Sequence, residues 1–359
     1  MGRWLVLGLL ALAAGCATDP FAQLETTTPT LTRSQVADLQ KHAQTPEALG
    51  IQVFASGQGL SVAGANEVRG GGTVAVPLVK LPAPNPRESE AQYRLPVVLA
   101  TVNGQEGVRV LLDSGSNRNL FGYAMARSLN IPVVAGLKPM TGMGIGGSVD
   151  NYVAVIPTFR LGGVEFQKLL AMVGPDAQAL TLTRSFGGGA QVMILGVNSL
   201  RPLAYLTIDY LRGTVTFSAQ DGYQPLAQSS FVTSTRLRWD GDLPAVDVSL
   251  DDRDPEPCYL DTGGDYGMLV SRSQATAYGY WKPGRGPLGT SQGVGGTSLS
   301  TSYEIKSVKI GGANCLQVPA RTDLIGPEAA GGRMLLGNVV LRHYRLTFDF
   351  RNNQLWLER

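Results

Sequence analysis

The sequence predicts an all-β protein made of two tandem copies of one domain behind an N-terminal tether. Three observations carry this. From Leu95 onward, short runs rich in Val, Ile, Leu and Thr alternate with glycine turns. Gly (45) and Pro (21) are frequent for 359 residues, as a chain of many turns requires. The chain also repeats itself once, at long period.

The strand-like runs are Val97 to Val102, Val108 to Leu112, Tyr152 to Leu161, Leu206 to Phe217, Ala245 to Leu250 and Arg345 to Leu357. Helical spacing is confined to short pieces, Gly122 to Leu129 and its counterpart Ser271 to Tyr278.

Six landmarks define the repeat. Leu95-Pro96-Val97 matches Leu243-Pro244-Ala245, and Leu112-Asp113-Ser114-Gly115 matches Leu260-Asp261-Thr262-Gly263, both at an offset of 148. Gly144-Ile145-Gly146-Gly147 matches Gly293-Val294-Gly295-Gly296, and Leu161-Gly162-Gly163 matches Ile310-Gly311-Gly312, both at 149. Met193-Ile194-Leu195-Gly196 matches Met334-Leu335-Leu336-Gly337 at 141, and Leu206 to Asp209 matches Leu346 to Asp349 at 140. The drop in offset assigns extra residues to the first copy, in the Gly-rich stretch Thr181 to Ala190. The expected division is 1–15 leader, 16–92 tether and accessory segment, 93–222 first lobe and 223–359 second lobe. Two copies in one chain make a monomeric pseudo-dimer the expected state.

Composition narrows the function. Thirty Lys+Arg against 28 Asp+Glu leave a net charge of +2, so no basic field recruits nucleic acid. Two histidines and three cysteines argue against a His-rich metal site and a His-dependent triad. No metal and no cofactor are expected. Carboxylates remain as carriers of hydrolytic chemistry.

The N-terminus reads as an address. Arg3 supplies a positive charge, and Trp4 to Ala14 is apolar but too short to span a bilayer. The run Leu12-Ala13-Ala14-Gly15-Cys16 resembles the bacterial lipobox, which implies lipidation at Cys16; an ordinary secretory leader is the alternative. Ala17, rather than Asp, leans toward the outer membrane, facing the periplasm. Thr26 to Thr32 and Lys80 to Pro86 read as tether, Arg33 to Ala48 as one short helix capped by Ser34, and Val74 to Val79 as a strand. Export to an oxidising compartment would leave Cys258 and Cys315 to form one disulfide, or to remain as buried thiols.

In each copy an apolar strand runs into Asp-(Ser/Thr)-Gly: Val108 to Ser116, and Cys258 to Gly264. One such tripeptide is ordinary turn chemistry. Duplicated, with a Gly-rich hairpin some 33 residues on and an apolar-apolar-Gly element further on, it resembles the retropepsin-like and pepsin-like aspartic protease family. The resemblance runs from about residue 93 to 359. It implies two tandem retropepsin-like β-barrel lobes related by a pseudo-twofold axis. It further implies a catalytic dyad, Asp113 and Asp261, held by Ser114, Gly115, Ser116, Thr262 and Gly263. Two flaps follow from it, with tips at Gly144, Ile145, Gly146, Gly147 and at Gly293, Val294, Gly295, Gly296. Two carboxylates held together share one proton, which lets one act as base on water and the other as acid (the aspartic proteases are the standard example). The activity implied is an endopeptidase on protein or peptide substrates.

Two departures stand out. Gly264 occupies a place where the family carries Ser, Thr or Ala, so the hydroxyl that Ser116 offers beside Asp113 has no counterpart beside Asp261. Neither hairpin tip carries the tyrosine of pepsin-like flaps; Tyr152 and Tyr303 lie beyond them. A non-catalytic lipoprotein that binds peptides or partner proteins is the alternative reading. Asp209 and Asp349 read as turn or surface residues.

Overall fold

A computed structural model describes residues 29–56, 59–82, 93–176, 191–282, 286–324 and 332–359. The leader, Cys16, most of the Pro-rich run and the stretch Thr181 to Ala190 lie outside them.

The chain is all-β. After helix α1 (Arg33–Lys41) come β1 (Gln52–Ser56), β2 (Gly59–Ala63), β3 (Glu67–Arg69) and β4 (Thr73–Pro77). The first lobe holds β5 (Val97–Val102), β6 (Gln105–Asp113), β7 (Leu120–Gly122), α2 (Tyr123–Ser128), β8 (Met140–Gly144), β9 (Gly147–Leu161) and β10 (Val164–Gly174). It continues with β11 (Val192–Gly196), α3 (Val197–Leu200), β12 (Tyr205–Asp209) and β13 (Thr214–Ser218). The second holds β14 (Val232–Arg236), β15 (Arg238–Asp240), β16 (Leu243–Leu250), β17 (Glu256–Asp261), β18 (Met268–Leu269) and α4 (Arg272–Ala277). It ends with β19 (Leu288–Gly293), β20 (Gly296–Ile310), β21 (Ala313–Asp323), β22 (Met334–Gly337), α5 (Asn338–Leu341), β23 (Arg345–Asp349) and β24 (Gln354–Glu358).

The two lobes share one strand order, β10-β7-β11-β6-β5-β9-β8 and β21-β18-β22-β17-β16-β20-β19. Extra pairings of β9 with β10, and of β20 with both β21 and β16, close each sheet into a barrel. Alternation along the strands sets the inside: Val98, Val108, Val110 and Leu112 face the first core, and Val246, Val248, Cys258 and Leu260 the second. The β5–β6 hairpin turns at Asn103-Gly104, both at positive φ (48° and 83°), as a tight two-residue hairpin loop demands.

A third, antiparallel sheet joins the lobes in the order β14-β24-β23-β12-β13-β4. At its centre Thr207 pairs with Thr347, its own repeat equivalent, and their hydroxyls hydrogen-bond at 2.8 Å. The pseudo-twofold axis therefore passes between them. Asp209 and Asp349 are turn residues, as expected, but buried rather than on the surface. Each accepts a backbone N–H three residues on, from Arg212 and Asn352.

The segment expected as a tether is woven into the body. Strand β3 adds to β10, and β4 adds to β13 just as β14 adds to β24. Helix α1 is capped by Thr32 rather than Ser34, and its Asp38 binds Tyr123 and Arg127 of the first lobe. Cys258 and Cys315 are free thiols, against the expected disulfide. Cys258 lies in the second core, whereas Cys315 sits on β21 beside the Tyr344 hydroxyl, 3.3 Å away.

Candidate active site

Each Asp ends a strand whose last residues before it, Val110 to Leu112 and Cys258 to Leu260, are buried. Asp113 closes β6, which pairs in parallel with the wholly buried β11, placing it level with Gly196. Asp261 closes β17, which pairs in parallel with β22, level with Gly337. The loop after each Asp is tied back to the helix behind it. Val197 donates its N–H to the Ser116 carbonyl at 2.8 Å, and Asn338 donates to the Gly264 carbonyl at 2.7 Å.

The loops lock across the axis through the two hydroxyls. Ser114 N–H donates to Thr262 Oγ1 (3.0 Å), and Ser114 Oγ donates to the Leu260 carbonyl (2.7 Å). Reciprocally, Thr262 N–H donates to Ser114 Oγ (3.1 Å), and Thr262 Oγ1 donates to the Leu112 carbonyl (2.7 Å). All four donors and acceptors are buried, where an unmade hydrogen bond costs about 1–3 kcal/mol, so the brace is strongly specified.

The glycines face the opposite carboxyl. A Cβ on Gly115 would lie 2.6 Å from Asp261 Cγ, and one on Gly263 would lie 2.5 Å from Asp113 Cγ. Only glycine fits at either place. Each carboxyl thus lies against the opposite loop, and Asp113 and Asp261 interact across the axis. Burial raises both acids above the ordinary carboxylate value. The charge of Asp261 raises Asp113 further. Asp261 is raised less, because the Tyr266 hydroxyl, Asp113, the Gly263 N–H and Arg321 all favour its ionised form. Both carboxyls are thus pushed toward the protonated form, as two acids held together must be, and they titrate as a pair.

Two hairpins, β8–β9 and β19–β20, meet at their tips. Gly295 N–H donates to the Ile145 carbonyl at 2.9 Å. A Cβ on Gly146 would strike the Gly296 backbone, and one on Gly295 would strike Gly147. The apolar tip residues cross over. Val294 packs on Leu81, Leu95, Val97, Leu111 and Ile194 of the first lobe. Ile145 packs, with Leu243, on the cluster of Ala245, Tyr259, Tyr266, Leu269 and Leu335 of the second. These two clusters are largely repeat equivalents, but Leu81 and Val79 from the N-terminal segment and Val192 belong only to the first, and Tyr266 only to the second.

The expected role of Ser116 needs correction. Its hydroxyl donates to the Arg118 carbonyl at 2.8 Å, and its backbone N–H donates to the Asp113 main-chain carbonyl at 3.4 Å. On the other side the Tyr266 hydroxyl donates to Asp261 Oδ2. The Tyr266 ring fills the space where a side chain at position 264 would stand, so that a Cβ there would collide with it. Sequence reasoning missed Tyr266 because the repeat aligns it with exposed Arg118. The Gly264 departure was the one visible sign of it. Also missed were Asn119 and Asn338, which hold the loops from behind, and buried Arg94, which pairs with Asp265 beside Gly264.

The aspartyl protease family profile matches residues 98–198, which take in the first Asp loop, its hairpin and β11. No curated protein matches the chain. The first lobe is thus similar to aspartyl proteases, and the second repeats its strand order and loop geometry.

Proposed function

We propose that this protein is an aspartic endopeptidase. The observation that carries the reading is the Asp113–Asp261 pair, two carboxyls set against each other where two braced loops cross and both raised above their ordinary value. One carboxylate takes a proton from water as the water attacks a peptide carbonyl, and the other carboxyl donates to the carbonyl oxygen. The hairpins would close over an extended peptide and hold it by main-chain hydrogen bonds. The family match to the first lobe supports this reading. The alternative, a non-catalytic peptide binder, draws on Gly264, and Tyr266 supplies the hydroxyl that Gly264 lacks.

The test is cleavage of an unfolded protein mixture from about pH 3 to 8 by the chain, with Asp113→Asn and Asp261→Asn alongside. Cleavage lost in both variants supports the endopeptidase. Peptide binding without turnover in folded protein supports the binder.

We further propose a lipid anchor at Cys16, with the body in the periplasm on the outer membrane of a bacterial envelope. Its support is the leader sequence alone. Among the described residues no helix is long and apolar enough to cross a membrane. Fatty-acid labelling that persists in Cys16→Ser would refute the anchor.

A further inference from the structure

The two halves of the site are twofold-related in backbone and in bracing but differ in what touches each carboxyl. Asp113 Oδ1 receives the Gly115 N–H at 2.8 Å, while the neighbouring hydroxyl of Ser116 turns away to the Arg118 carbonyl. Asp261 receives the Tyr266 hydroxyl on Oδ2. Tyr266 is itself held. It lies buried, with the Arg321 guanidinium 4.6 Å from its ring centre, and its carbonyl accepts the Val339 N–H at 3.0 Å. A cation over the ring makes the phenol a stronger donor. Gly264 is the matching half of this arrangement, since any side chain there would collide with the ring.

On the endopeptidase reading, we infer that Tyr266 is a positioning residue that fixes Asp261 as the proton acceptor of the pair and Asp113 as the proton donor. In the forward step the water oxygen bonds to the peptide carbonyl carbon, and its proton passes to the Asp261 carboxylate. The carbonyl π electrons move to oxygen, which takes the proton of Asp113. The pair keeps one proton and one negative charge throughout. In breakdown the protonated Asp261 gives its proton to the amide nitrogen, the C–N bond breaks, and a hydroxyl proton of the gem-diol returns to Asp113.

The groups that face the Asp261 carboxyl are Asp113 across the axis, Tyr266 from its own loop and Arg321 from β21. Asp323 lies near Arg321, and Asp265 is engaged by Arg94. Tyr266 donates to Asp261 whether or not Asp113 has lost its proton. Its removal therefore moves only the first ionisation of the pair.

The test is the pH profile of kcat/KM for Tyr266→Phe. A hydrogen bond to a charged group corresponds to a shift of about one pH unit or more. The acid limb should move up by about one unit while the alkaline limb stays, with KM unchanged and kcat about tenfold lower on the acid side. Arg321→Met should move the same limb the same way by less. Gly264→Ser alone should lose activity, because its Cβ meets the ring. Gly264→Ser combined with Tyr266→Ala should recover activity above either single variant, the serine hydroxyl replacing the phenol. Melting midpoints confirm folding. Limbs that stay in place, or move together, in folded Tyr266→Phe overturn the proposal, as does a double variant no better than Tyr266→Ala. If the wild-type chain cleaves nothing, the endopeptidase reading fails separately. Carboxyl titration by carbon-13 NMR then decides the Tyr266 contact: the lower apparent pKa of the pair rises in Tyr266→Phe if Tyr266 supports the carboxylate, and an unchanged value refutes it.

Discussion

At the scale of single residues, the raised carboxyl of Asp113 has a consequence for stability. Burial and mutual charge raise the carboxyl of Asp113 well above its ordinary value of 3.8. Above pH 3.8 the unfolded chain releases a proton that the folded chain still holds. Unfolding then loses a bound proton, so stability falls as pH climbs from 3.8 toward the raised folded value. Below 3.8 both states are protonated and the contribution is fully present. Asp113→Asn removes this liability. The variant should melt higher than wild type at pH 7, by on the order of 1 kcal/mol or about 1–2 °C for a chain of this size, and equal it near pH 3. Scanning calorimetry from pH 3 to 8 reads this directly, and a lower midpoint for Asn at pH 7 would contradict it. Such a gain with lost turnover is the usual trade at a site kept under electrostatic strain.

At the scale of elements, the accessory segment is structural. Strand β4 borders the inter-lobe sheet, and Leu39, Val76, Leu78 and Leu81 are buried within the body. Deleting residues 29–82 exposes those four side chains' partners and removes roughly 6–12 kcal/mol of apolar burial. The truncated chain should melt far below the full one or fail to fold, rather than gain activity as release of an inhibitory segment would give. Melting and cleavage measured side by side separate these outcomes. The barrels and both Asp loops were legible in the sequence because their landmarks recur at nearly constant offset. Strand β4 was legible as a strand but not as part of the repeat. Its equivalent β14 lies 159 residues on rather than 148, since the connection from β4 to β5 is longer than that from β14 to β16. Tyr266 was illegible for a different reason: its partner is a carboxyl reached through a loop turn, and its repeat equivalent is an arginine. The thiols misled because the Cys count and compartment say nothing of which strand faces carry them.

At the scale of the whole molecule, the lobes are held by the loop brace, the tip contact and the six-stranded sheet, without a covalent tie among the described residues. Burial pushes the Cys258 thiol far above its ordinary value, so it stays unreactive. Dithiothreitol should therefore shift the melting midpoint by less than about 1 °C, whereas loss of a disulfide closing a loop of this size would cost about 4 kcal/mol. A larger shift would mean that the thiols are joined. The central Thr207–Thr347 pair shows how nearly each half is a copy of the other.

That duplication also changes what a single mutation does. In a homodimer each codon is expressed on both sides of the axis, so a tyrosine beside one carboxyl is a tyrosine beside both, and neither acid is favoured as the proton's home. Here the two halves are separate stretches of one gene. One position holds Arg118 and its equivalent holds Tyr266, so the division of labour between donor and acceptor can be inherited as sequence instead of being settled afresh at each turnover.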